Sequence, residues 1–150
     1  MLPMETSKLI SSDDIETGRA FDKTWLYAHG LKKTYKTLKL SSKGWQSTFL
    51  NFITPTKATW NGHNSSGWKK DLLSANGFDE RMQYGGQDRE LGERLVNAEI
   101  RPIQLRYSAI CLHLDHARGY KNQASIEKNR AIRKHTRNSG KTRTEYGIVK

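Results

Sequence analysis

The residues best suited to chemistry lie past the middle of the chain. Asp88 follows Tyr84-Gly85-Gly86-Gln87, and Leu91, Leu95 and Ala98 come after it, so the spacing predicts a helix starting near Asp88 behind a two-glycine turn. Glycines let backbone come close to a ligand, and a carboxylate at the rim of such a turn can take a proton from a hydroxyl group. The helix dipole favours the charged form, so work as a base requires burial or a neighbouring anion to oppose it. The same position equally suits an ordinary N-cap.

A second group lies further on. Ile103 to Leu114 is rich in apolar and β-favouring residues and predicts one strand, its centre at Ala109–Leu112 buried on both faces and its end at His113. Alternation puts His113 and Asp115 on one face and His116 on the other. Neutral imidazole is a competent ligand for Mn²⁺, which also takes carboxylate and phosphate oxygens, so His113 with Asp115 is the more suitable metal pair. A lone histidine at a strand end is also an ordinary hydrogen-bonded surface residue.

The elements that must position these groups follow from the pattern. Ser11-Ser12-Asp13-Asp14 is a helix start, its acids suited to the free amides. Phe21, Trp25, Ala28, Tyr35 and Leu38 predict one amphipathic helix, or two broken at Gly30, with the stripe packed on the core; a partner surface is the other reading. Ser41–Gly44 reads as a loop, and Pro55 ends the apolar stretch from Phe49. Trp60 to Asn64 predicts a short strand entering a turn, followed by a helix over 68–75 that Asn76-Gly77 stops. Ser125 caps a final basic helix ending before Gly140.

Composition bounds the setting. At 150 residues with 35% hydrophobic content, the chain has material for one modest core. Its mean hydropathy is −0.82, and no apolar run approaches the ~20 residues that cross a bilayer. The N-terminus lacks the layout of a signal peptide, and the single Cys111 rules out an internal disulfide, so a reducing, cytoplasmic setting is expected. Of the net charge of +11, residues 117–150 hold +8. Such a tail suits an anionic partner: nucleotide phosphates, an anionic membrane surface to which the chain would be peripheral, or nucleic acid. Only Tyr120 and Tyr146 intersperse those cations, which speaks against nucleic acid.

The block from Asn61 to Leu95 resembles the acceptor-side half of glycosyltransferase family 2 and the related galactosyltransferase C-terminal domain. Four features carry the likeness, in order: the Gly62-x-Asn64-x-Ser66 turn; Asp71-Leu-Leu with Asn76-Gly-Phe-Asp-Glu80; Tyr84-Gly-Gly-Gln-Asp88 with Leu91, Arg94 and Leu95 behind it; and the predicted strand ending in His113. The resemblance implies an α/β fold, the C-terminal part of a GT-A fold: a short mixed sheet with packed helices, a helical segment over 1–58, a core over 59–116, and a basic helical tail over 117–150. It implies inverting transfer of a sugar from a nucleoside diphosphate sugar to a glycan or lipid-linked acceptor, as in polysaccharide biosynthesis. Asp88 would be the base, and Asn64, Ser66, Tyr84, Gly85, Gly86 and Gln87 would shape the sugar pocket. His113 would help hold a divalent ion, Mn²⁺ or Mg²⁺.

The chain departs from that pattern at three points. Tyr84 stands where the family usually has Trp, and Gln87 where it usually has Glu. No Asp-x-Asp precedes the block, since Asp13-Asp14 lacks the spacer, and the nucleotide-binding half is missing. An apolar edge left by that half would favour self-association or a partner that supplies it. The alternative is a non-catalytic binding module using the basic tail.

Overall fold

A computed structural model describes residues 2–115 and 122–149. The chain forms two compact units, one of Met1–Thr56 with Gln104–Ala117 and the other of Lys57–Ile103 with Arg118–Lys150. The described regular structure is helical, without a strand, which overturns the expected α/β fold and its short mixed sheet.

The first unit carries α1 (Met4–Leu9), α2 (Ser12–Glu16), a 3₁₀ turn (Arg19–Phe21), α3 (Lys23–Ala28), a second 3₁₀ segment (Tyr35–Leu40) and α4 (Trp45–Ile53). The serine-acid run does start a helix. Ser11 and Asp14 form a reciprocal capping box, the Asp14 carboxylate accepting from the Ser11 amide at 2.8 Å. Hydrogen bonds from the Ser11 side chain and backbone, then from Arg19, hold Asp14 down to about 2. The aromatic stripe does not continue as one core face. α3 ends at Ala28, Gly30 takes a φ of +98°, and Tyr35 beyond it is 81% exposed. Leu26, outside the stripe, is the fully buried residue of this stretch.

Residues 103–115 form no strand. A strand needs a ladder partner, and this backbone bonds elsewhere. The Ser108 and Ala109 amides both turn back to the Leu105 carbonyl, the His113 carbonyl accepts from the Leu2 amide at 2.9 Å, and the Asp115 amide donates to Ser7 Oγ at 2.9 Å. Asn51 of α4 pins the turn, accepting from the Tyr107 amide at 2.9 Å and donating to Ser108 Oγ at 2.8 Å. Cys111 is exposed rather than buried on both faces. The expected strand from Trp60 to Asn64 is likewise a turn, closed by the Asn64 amide on the Asn61 carbonyl.

The second unit is built on α5 (Lys69–Ser74), α6 (Gln87–Asn97) and α7 (Gln123–Ser139). Leu91 and Leu95 of α6 bury against Ala75, with Trp60, Leu72 and Ile100 around them. Trp60 seats against Gly92, where an added Cβ would fall 2.6 Å from the Trp60 Cβ. Asn76 and Gly77 adopt left-handed φ of +64° and +70° and end α5 as expected. α7 ends at Gly140, also left-handed, but its cap is Asn122, which accepts from the Ala124 and Ser125 amides, and not Ser125.

Candidate functional site

Asp88 is the second residue of α6 and is half-buried. Its Oδ2 accepts from the Gly62 amide at 3.0 Å and its Oδ1 from the Arg89 amide at 2.8 Å. The Gly62 turn is held by Ser65, whose Oγ accepts from the Asn61 amide and donates to the Asn61 carbonyl, both at 2.7 Å. Two of the sequence-selected features, the Gly-x-Asn-x-Ser turn and the Gly-Gly-x-Asp carboxylate, therefore meet in space. Asn64 and Ser66 lie exposed on that turn.

The glycine pair does what its chemistry suggests. Gly85 and Gly86 take φ of +111° and +93°, a backbone that any side chain would strain. Gln87 steadies this turn through its Oε1, which accepts from the Gly85 amide at 3.0 Å. A glutamate there offers the same acceptor, so the departure at Gln87 leaves the turn intact.

α7, the expected basic helix, backs the turn. Asn129 is fully buried and its Nδ2 donates to the carbonyls of Tyr84 at 3.2 Å and Gly85 at 3.1 Å. Arg133 lies against Gly86 and pairs with Glu93 at 2.6 Å, and Arg137 reaches the same Glu93 oxygen at 3.0 Å. In the sequence Asn129 is one polar residue among many on a basic helix, with nothing beside it to mark it as buried.

Other residues of the resemblance are structural. Arg94 is sealed inside, bonded to Glu90 and to the carbonyls of Ala75 and Gly77, while Thr136 donates to Glu90 at 2.8 Å. Burial pushes the Asp79 carboxyl up, but hydrogen bonds from Arg81 and Thr144 and the Arg81 charge outweigh it and leave the group below its ordinary value. Asn76 grips the C-terminal segment, donating to the Thr144 and Val149 carbonyls and accepting from the Val149 amide. A cavity of about 250 Å³ opens beside this network, lined by Asp79, Arg81, Glu90, Ile132, His135 and Lys141. None of the sequence-selected sugar-pocket residues lines it.

His113 belongs to the other unit and is exposed. His116, its companion in the sequence pattern, is outside the described residues. Among the described residues no three His, Cys, Asp or Glu side chains gather as a metal-holding group. His113 and Asp115, the pair favoured by the sequence, both belong to the first unit, whereas Asp88 belongs to the second.

No family model matches the chain, and neither does any curated protein or solved structure.

Proposed function

We propose that the chain is the acceptor-side part of a nucleotide-sugar-dependent glycosyltransferase, with Asp88 as the base. The observation that carries this reading is the hydrogen bond from the Gly62 amide to Asp88, which joins two motifs 26 residues apart at one rim. Each Asp88 oxygen keeps a lone pair beyond the one its amide partner uses, so an acceptor hydroxyl can donate there. As that oxygen attacks the anomeric carbon, its proton passes to Asp88, the new glycosidic C–O bond forms, and the bond to the diphosphate oxygen breaks on the opposite side, inverting the centre. Gly85 and Gly86 form the left-handed turn that carries Asp88 and that α7 packs against, and Tyr84 offers an aromatic face to a sugar ring. The nucleoside diphosphate is held, in this reading, by a nucleotide-binding half that these 150 residues do not supply.

The test is a thermal-shift and transfer series on the purified chain with uridine and guanosine diphosphate sugars and oligosaccharide acceptors. A ligand at 100 times its Kd adds about 2.7 kcal/mol to the stability of the unit that binds it. Asp88→Asn keeps one acceptor oxygen for the Gly62 amide but turns its NH₂ toward the Arg89 amide, so it should cost about 1 kcal/mol of stability, stay folded, and lose transfer while still binding acceptor. Absence of any acceptor-dependent shift in the wild-type chain overturns the reading, and full transfer by the variant, once a nucleotide-binding half is supplied, removes Asp88 from it.

A further inference from the structure

α4 is seated the wrong way round for a helix that serves only its own core. Trp45, Phe49, Phe52 and Ile53 recur at the spacing of one helical face, and that face is turned out: Trp45 is 77%, Phe49 54% and Phe52 88% exposed. The side turned in is mixed, with Leu50 half-buried between two polar residues. Ser47 is buried, and Asn51 spends its amide on the 105–108 turn. No residue of α4 carries a charge.

The segment leading into α4 is charged with one sign only. Between Lys23 and Thr56 the chain has six lysines (Lys23, Lys32, Lys33, Lys36, Lys39 and Lys43) and neither Asp nor Glu. Lys32, Lys33, Lys36 and Lys43 are exposed, and Lys36 lies over the ring of the exposed Tyr35.

We propose that this face of the first unit docks on an anionic lipid bilayer, with Trp45, Phe49, Phe52 and Ile53 among the acyl chains near the headgroups and the lysines on the headgroup phosphates. Aromatic rings with flanking lysines are the chemistry that such an interface selects. No described helix is long and apolar enough to cross a membrane, so the contact is lateral, through one helix face. Charge complementarity selects this occupant over a second copy, which would bring two all-lysine segments together. It also outweighs nucleic acid, which would need cations beside each stacked ring, whereas α4 has none and Ile53 continues its face as plain hydrocarbon. The proposal stands apart from glycosyl transfer and survives its failure.

Vesicle flotation of the full chain tests it, using phosphatidylcholine alone and an equimolar mixture with phosphatidylglycerol. Binding to the mixed vesicles alone, weakened by added salt, is expected. Phe49→Ser with Phe52→Ser should lower the partition coefficient by about ten-fold or more while circular dichroism stays put and the melting temperature falls only slightly, because Phe52 lies almost wholly in solvent and Phe49 for more than half of its surface. Lys36→Gln with Lys39→Gln and Lys43→Gln should lower it by a similar factor through charge alone. Equal binding to neutral vesicles, no binding to either, or an unchanged coefficient in the phenylalanine variant overturns the proposal. So does aromatic-dependent binding of a single-stranded oligonucleotide, or aromatic-dependent dimerisation in sedimentation, in a chain that ignores anionic vesicles.

Discussion

Glu90 and Arg94 sit one turn apart on α6 and form an ion pair closed off from water, at 2.8 Å with side chains 1% and 0% exposed. The pair is more than a helix staple. Arg94 also closes the end of α5 by donating to the Ala75 and Gly77 carbonyls, and Glu90 reaches α7 through Thr136. One guanidinium and one carboxylate thus join three helices of the second unit.

Breaking the pair from one side should be costly. Arg94→Met leaves the Glu90 charge in a dry interior with Thr136 as its remaining donor, removes the donor to the Gly77 carbonyl and leaves Ala75 with only the longer bond from the Thr144 amide, a change of about 3–5 kcal/mol. Chemical denaturation of the second unit checks this. Arg94→Met combined with Glu90→Leu should recover part of the loss, because no unpaired charge then remains inside.

The Gln87 side chain offers a quieter comparison. Gln87→Glu preserves an acceptor for the Gly85 amide and should leave the unfolding free energy within about 0.5 kcal/mol of wild type. Gln87→Leu removes the acceptor and should cost about 1 kcal/mol. A large stability difference for the glutamate variant would mean that the amide nitrogen of Gln87 also serves the turn.

What could be read in advance divides along the range of the interactions. Asn76-Gly77 and Gly140 end their helices as expected, because a left-handed residue past a helix end is a local backbone matter. The helix behind Gly85-Gly86 is likewise set by its own periodicity. The stretch from Ile103 to Leu114 has strand-favouring residues, but strandness is a property of a pair, and its backbone found Leu2, Ser7 and Asn51 instead of a neighbour strand. Asn129 and Thr136 read as surface polar residues on a basic helix. Their partners, Tyr84, Gly85 and Glu90, lie more than 40 residues earlier in the chain, where no window of sequence connects them.

Acid should loosen the second unit through Asp79. Its folded carboxyl titrates below the ordinary carboxylate value, so in the window beneath that value the unfolded chain binds the proton more readily than the folded one. The stabilisation is complete above the unfolded value and fades as pH falls through the folded one. Melting temperature measured from neutral pH downward should therefore drop once pH falls below about 4. Asp79→Asn should start lower at neutral pH, having lost its charge-assisted bonds to Arg81 and Thr144, and should show a shallower fall.

The C-terminal segment provides the most local of the tests. Gly147 is buried against the Asn76 backbone, and a Cβ placed on it would fall 1.7 Å from the Asn76 carbonyl oxygen. That oxygen accepts from the Ile148 amide at 3.1 Å, and the Asn76 side chain accepts from Val149 at 2.8 Å, so nothing at this contact can yield without breaking a bond. Gly147→Ala must lift the segment off Asn76, costing about 1–3 kcal/mol at that contact. The segment closes over the end of α5, so amide exchange should rise at Ile148, Val149 and Gly77 well before it rises on α6. If Gly147→Ala left those amides as protected as in the wild type, the seating of the C-terminal segment on Asn76 would be wrong.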